Sequence, residues 1–285
     1  MLLNDFSTTA SVLDGKLQVV SAYNKKAFPN TEKEVHTHYD RIEIYLFLKG
    51  NLYFAFEGGR IPVEEGSMII IDSGTLHRPI IKDECEYERK RILVNRELLR
   101  RLNITGFDIY PLIHQKQIIV LDNLKLTESG CDKLFYEIEK ATAHDTPYDH
   151  FCALINLCSL LINAEKTAPH YSTAIVRSPD EKIAAMLEYI NANLKSELSY
   201  KVLSKIFYIS EKNLYKIFKK ETGFTLSDYI KERRIIKALA LLNSGLHATK
   251  VAEEVGFSDY SVFYRTFIKK VGITPIEYIK NSNIQ

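Results

Sequence analysis

Between residues 200 and 280 one pattern is written twice, and no other stretch of the chain restricts its fold as much. The later copy runs Ala252-Glu253-Glu254-Val255-Gly256-Phe257-Ser258, then Phe263-Tyr264-Arg265-Thr266-Phe267 and Gly272-Ile273-Thr274-Pro275. The segment Phe218-Lys219-Lys220-Glu221-Thr222-Gly223 echoes Phe267 to Gly272 at an offset of 49 residues. Ala252 is small enough for one helix to approach another, Gly256 permits a tight turn, and Phe257, Phe263 and Phe267 supply inward apolar anchors. Ser204, Tyr208, Ile209, Leu214 and Phe218 take the corresponding roles in the earlier copy, which is looser because Tyr208 stands where the later copy has glycine. Each copy is a helix-turn-helix unit, in which one helix braces a duplex backbone and the next lays its exposed face in a major groove.

The sequence around the two copies supplies a helical frame. Ile183, Met186, Leu187 and Ile190 mark one helix, and Val202, Leu203 and Ile206 a second. Ser210 caps a third that runs through Lys220 and stops at Gly223. Leu226 to Leu242 then spans 17 residues, about 25 Å at ~1.5 Å per residue. With the helix widths added, the two reading helices can sit roughly 34 Å apart, one turn of B-DNA. Helices at Ala248 to Val255 and Asp259 to Lys270 follow, and Pro275 opens a short last one. With the anchors turned inward, the outward residues are Lys212, Asn213, Tyr215 and Lys216 in the first unit and Tyr260, Ser261, Tyr264 and Arg265 in the second. Lys216 and Arg265 can donate to guanine O6/N7, Arg265 bidentately, or each can meet phosphate or solvent. Lys219, Lys220, Lys269 and Lys270 read as backbone contacts or solvated charge. The sign of the charge agrees: residues 180–285 hold 17 Lys and Arg against 12 Asp and Glu, whereas residues 1–179 carry a net −3.

The first half has another character. Runs at Leu17-Gln18-Val19-Val20, Ile42 to Leu48, Leu52 to Phe56, Met68 to Ile71 and Tyr87 to Val94 are separated by Lys49-Gly50-Asn51, Glu57-Gly58-Gly59 and Asp72-Ser73-Gly74. Strands at this spacing predict an antiparallel sandwich or barrel. Both parities of Glu43 to Leu48 are largely apolar, so one face fills the barrel and helices cover the other. A short helix is expected at Glu97 to Leu102. Glu128 to Ala143 and Tyr148 to Ala164 should form a helical hairpin around Asp145-Thr146-Pro147, which either closes the barrel or also supplies a dimer interface. Lys166 to Pro179 reads as a linker. The expected fold is thus α+β in two domains: a barrel with a helical hairpin over residues 1–165, a linker over 166–179, and an all-α tandem reader over 180–285.

Residues 180–280 resemble the DNA-binding domain of the AraC/XylS family of bacterial transcription regulators, through Gly256-Phe257-Ser258-Asp259 to Phe267, then Lys270, Gly272, Thr274-Pro275 and Tyr278. The resemblance implies that the outward residues of both reading helices touch bases and phosphates of an operator. It also implies a ligand-responsive regulator, more often an activator than a repressor, with RNA polymerase a further candidate partner; the helical hairpin suits a homodimer, and the unpatterned cysteines suit the cytoplasm. In the first half, His36-Thr37-His38, Glu43 and Gly50, then Gly66, Asp72, Gly74 and His77, resemble the two motifs of the cupin barrel, with Asp72 where proline is usual and no asparagine soon after His77. His36, His38, Glu43 and His77 could converge on a divalent metal. Equally, they could line a metal-free effector pocket with Tyr45, and with Phe47 and Tyr53 nearby, or be structural. A metal-dependent cupin enzyme joined to a DNA reader, and a ligand-independent DNA binder, are the competing functions. Cys85, Cys131, Cys152 and Cys158 show no CxxC spacing, which fits reduced thiols. The N-terminus lacks the pattern of a signal peptide, and no apolar run approaches the ~20 residues of a membrane span.

Overall fold

The computed structural model describes residues 6–29, 37–56, 59–102, 109–116, 118–168 and 181–283. They belong to two compact units, Met1–Arg177 and Ser178–Gln285.

Among the described residues of the first unit, eight strands come before any helix: β1 (Phe6–Val12), β2 (Leu17–Ala27), β3 (Arg41–Lys49), β4 (Leu52–Phe56), β5 (Gly59–Val63), β6 (Met68–Ile71), β7 (His77–Ile81) and β8 (Cys85–Asn95). Helices α1 (Arg96–Arg101) and α2 (Tyr110–Lys116), strand β9 (Ile118–Leu121), and helices α3 (Asn123–Ser129), α4 (Cys131–Ala141) and α5 (Pro147–Thr167) complete it. The strands form a six-stranded sheet, β1-β2-β8-β3-β6-β9, and a three-stranded sheet, β5-β4-β7. All pairs are antiparallel. Alternation along β3 divides the core in two, because successive side chains of a strand leave opposite faces. Tyr45 and Phe47 pack with Phe54, Ile69, Ile71 and Tyr87 inside the barrel. Ile42, Ile44 and Leu46 join Ile70, Ile92 and Val94 under the helices, against Leu126, Phe135, Ile138, Leu157 and Leu161. The apolar character of both parities of β3 has this cause.

Several expectations change. The helix expected over Glu128 to Ala143 is two helices, broken where Gly130 adopts the left-handed conformation (φ 69°); the first of them starts earlier, capped by Asp122, which accepts from the Lys125 amide. Lys166 and Thr167, expected in a linker, are the last residues of α5, and Ala168 caps it; residues 169–180 lie outside the described part. Four strands had too weak a pattern to be read. β1 is an edge strand of small polar residues, exposed along most of its length. β5 and β7 contain Pro62 and Pro79, and both lie at sheet edges, where a missing N–H costs no ladder bond. β9 returns to the sheet only after two helices.

The second unit is helical throughout its described residues: α6 (Glu181–Ala192), α7 (Tyr200–Ile206), α8 (Glu211–Thr222), α9 (Leu226–Asn243), α10 (Ala248–Glu254), α11 (Tyr260–Val271) and α12 (Pro275–Asn283). Ser199, Ser210, Thr225 and Asp259 each cap a helix by accepting a backbone N–H in its first turn. The central helix α9 packs against α8, α10, α11 and α12. It does so through Tyr229, Ile235, Ala238 and Leu242, all buried.

Candidate functional site

The two turns of the second unit are built alike. After α7 the Ile209 amide donates to the Ser204 carbonyl at 3.0 Å, and after α10 the Phe257 amide donates to the Ala252 carbonyl at 3.0 Å. Between the bonded residues Tyr208 (φ 52°) and Gly256 (φ 93°) hold the left-handed conformation. Tyr208 therefore does the backbone work of a glycine, at the strain a side chain carries there, and its ring is 94% exposed. Ser210 and Asp259 then open α8 and α11, and Leu214, Phe218, Phe263 and Phe267 are fully buried as anchors.

The expected base-reading residues fall on the faces opposite those anchors. Lys212, Asn213, Tyr215 and Lys216 are exposed along α8, and Ser261 and Arg265 along α11. Tyr260 and Tyr264 are only half-buried neighbours, with ring centroids 6.0 Å apart, and Tyr260 also leans on Phe263 at 5.9 Å. Lys270 corrects an expectation: its ammonium pairs with the buried Glu232 carboxylate of α9 and is not a solvated charge. Val262 was overlooked. It is exposed beside Ser261, and the offset of 49 residues that pairs Phe218 with Phe267 also pairs Val262 with Asn213. Reading the offset along the whole helix would have found it.

Inside the barrel, the segment leading into β3, β3 itself and the start of β7 bring three of the expected residues together. His38 Nε2 lies 3.1 Å and His77 Nε2 2.8 Å from Oε2 of the buried Glu43, and the Arg91 guanidinium donates to Glu43 Oε1 at 3.4 Å. Burial alone would raise the Glu43 carboxyl, but hydrogen bonds from His38 and His77, with the charges of His77 and Arg91, hold it well below its ordinary value. His77 stacks on Phe54, and its Nδ1–H donates to the Thr75 carbonyl at 2.9 Å. His36 lies outside the described residues. Tyr45 is the next inward residue along β3 after Glu43, but it is buried and its hydroxyl is bonded to that of Tyr87. Burial, with Tyr87 alongside, drives the Tyr45 hydroxyl well above the ordinary tyrosine range. Phe47 is core. Tyr53 does not face the cluster: Arg60 and Lys82 cover its ring at 4.8 and 4.1 Å.

The cluster fits a divalent metal by its chemistry. One atom from each of His38, Glu43 and His77 lies within 4.8 Å of the others. With Nδ1 of His77 committed as a donor, its Nε2 meets a carboxylate oxygen across a gap that needs a proton or a cation, and a histidine fixed by a carbonyl behind it is a common ligand arrangement. Asp72, which departs from the cupin pattern, is not part of this cluster; its buried carboxyl binds His114 Nδ1 of α2 at 2.6 Å. The sequence reading missed Arg91, although Tyr87, Arg89 and Arg91 share one parity of β8 while Ile92 and Val94 fill the other.

Residues 203–281 match the helix-turn-helix domain family and residues 28–87 the cupin domain family. An uncharacterized response regulatory protein of Staphylococcus epidermidis is 28% identical over 148 residues, 48% of this chain and 59% of that protein, so the chain spans about three-fifths of the relative's length. The transcriptional regulatory protein HptR of Staphylococcus aureus is 27% identical over 38% of this chain and 42% of its own. Among solved structures, the C-terminal domain of the two-component response regulator yesN of Fusobacterium nucleatum is 30% identical over 35% of this chain and 99% of that domain, with a TM-score of 0.34. ToxT of Vibrio cholerae is 12% identical over 93% of this chain and 97% of its own, with a TM-score of 0.39. No helix among the described residues is long and apolar enough to cross a membrane. The chain thus carries a cupin domain and, after it in sequence, a helix-turn-helix domain whose two turns share one hydrogen-bond plan, the arrangement that its resemblance to the AraC/XylS regulators implies.

Proposed function

We propose that this chain is a sequence-specific transcription regulator of the cytoplasm that lays α8 and α11 in successive major grooves and takes a small-molecule effector in its barrel. The repeated turn carries the reading: two left-handed residues, two identical backbone bonds and two capped helices present equivalent faces bearing Lys212, Asn213, Tyr215 and Lys216, and Tyr260, Ser261, Tyr264 and Arg265. Lysine and arginine at such faces displace counterions. Affinity for duplex DNA should therefore fall steeply between low and moderate salt, and a flat response would contradict the reading.

The effector site is the mouth of the His38–Glu43–His77 cluster, where Arg91 Nε is buried without a hydrogen-bond partner among the described residues. A spare donor beside two imidazoles suits an oxygen-rich metabolite such as a sugar or organic acid. A divalent metal, if bound, would be held by His38, Glu43 and His77 and would polarise an oxygen of that ligand. Binding there would shift the population of DNA-competent states, with activation the commoner outcome in the family and RNA polymerase the further partner. A screen of such metabolites that never alters operator affinity would remove the sensing role. Turnover of a metabolite, lost in His77→Ala, would instead favour a cupin enzyme.

The dimer expected of such a regulator has a ready surface on α5. Tyr148, Phe151 and Ile155 are 75%, 62% and 50% exposed, and the half-buried Cys158 and Ile162 extend the row at alternating steps of three and four. Such a row is the seam of a two-helix coiled coil. Leu160 and Leu161, on the opposite side of the helix, are buried within the unit. Phe151→Glu with Ile155→Glu should yield a folded monomer by sedimentation at micromolar concentration, and a dimer that survives both changes would place the interface elsewhere.

A further inference from the structure

We propose that Val262 reads the 5-methyl group of a thymine in the half-site bound by α11. The inference rests on the proposed docking of that helix in a major groove. Val262 is the third residue of α11, and its amide is fixed by the Asp259 cap at 3.2 Å. Its side chain is 41% exposed, on a face otherwise made of Ser261, Arg265 and Lys269, while Phe263 and Phe267 occupy the buried side. A branched apolar side chain on that face keeps a substantial part of its surface in solvent. Its single dominant rotamer in a helix lets it dock at small entropic cost. N-terminal residues of a reading helix are the ones that meet base edges. Adenine, guanine and cytosine present donors and acceptors in the major groove that a valine would desolvate without repayment, whereas thymine presents a methyl group.

The repeat makes the assignment asymmetric. Asn213 occupies the equivalent place in α8, and its amide matches the N6/N7 edge of adenine. The two half-sites are therefore read differently at corresponding positions, adenine by Asn213 and thymine by Val262. Arg265 follows Val262 by three residues, about 4.5 Å of helix rise, against a base step of about 3.4 Å. The thymine lies within one or two base pairs of the position that Arg265 meets.

The test uses the full chain and a library of random duplexes. Once a site is enriched, each thymine of the α11 half-site is replaced in turn by deoxyuridine, which removes only the methyl group, and affinity is measured by fluorescence anisotropy. One replacement should weaken wild-type binding about four-fold, the worth of one buried methyl group, and should leave Val262→Ala unaffected. Val262→Asn, which copies the first unit, should shift the selected base toward adenine. If every deoxyuridine replacement is neutral, or if the loss is the same in Val262→Ala, the inference is overturned while the DNA-binding reading stands. A library that yields no enriched site overturns both.

Discussion

Gly256→Ala is expected to destabilise the second unit by roughly 3–5 kcal/mol and to abolish binding through α11, because two independent costs meet at that position. The first is conformational: φ is 93°, a region where an alanine Cβ crowds the following carbonyl. The second is steric. A Cβ at Gly256 would stand 2.1 Å from the Leu194 carbonyl oxygen and 2.9 Å from Lys195 Cα, both backbone atoms that cannot swing aside. The segment after α6 is itself held in place, since Arg234 of α9 donates to the Leu194 and Ser196 carbonyls at 3.0 and 3.1 Å. Gly272 is the control. It too has a positive φ, 87°, but nothing lies within 4 Å of its Cβ direction, so Gly272→Ala should show the conformational cost alone, about 1–2 kcal/mol. Tyr208 makes the same point naturally, holding a left-handed turn with its side chain in solvent. Urea unfolding of the two variants decides the matter. Equal midpoints would mean that the packing of this turn against the α6 end does not exist.

Glu43→Gln should lower the stability of the first unit by about 3–5 kcal/mol at neutral pH, measured in EDTA so that no metal contributes. Glutamine fills the same space, so the loss is electrostatic: the Arg91 guanidinium and both imidazoles keep their burial and lose the carboxylate that offsets it. The pH dependence carries a definite sign. The folded-state value of Glu43 lies well below the ordinary 4.5, so the unfolded chain takes up the proton first as pH falls. The advantage of the wild type over Glu43→Gln is therefore full above about pH 4.5 and drains away as acid protonates the native carboxylate. An advantage that is absent at pH 7, or that persists undiminished in strong acid, would mean that Glu43 is not the ionised partner in the folded barrel.

Several helix starts and stops in the second unit were legible because they are chemically marked. Ser210, Thr225 and Asp259 begin helices, and Gly223 and Gly272 end them in the left-handed conformation. Strands of the first unit were legible where burial enforces an apolar run, as in β3, and illegible where an edge position tolerates polar residues or proline, as in β1, β5 and β7. In the barrel site, His38, Glu43 and His77 could be read because their spacing follows two strands. Arg91 could not, since its place depends on the pairing of Tyr45 with Arg91 across β3 and β8, a register no local pattern encodes. Tyr53 was misplaced for a related reason: the parity of a strand is plain, but which parity faces inward depends on the partner sheet. Lys270 looked like solvated charge because its counterion, Glu232, sits 38 residues away on α9.

Footprinting of the full chain on its selected duplex is the most direct test of the central claim. Two protected patches should appear on one face of the DNA, with centres about 10 base pairs apart. Lys216→Ala should weaken one of them and Arg265→Ala the other. A single patch, or two that respond identically to both substitutions, would contradict a reader in which α8 and α11 occupy separate grooves.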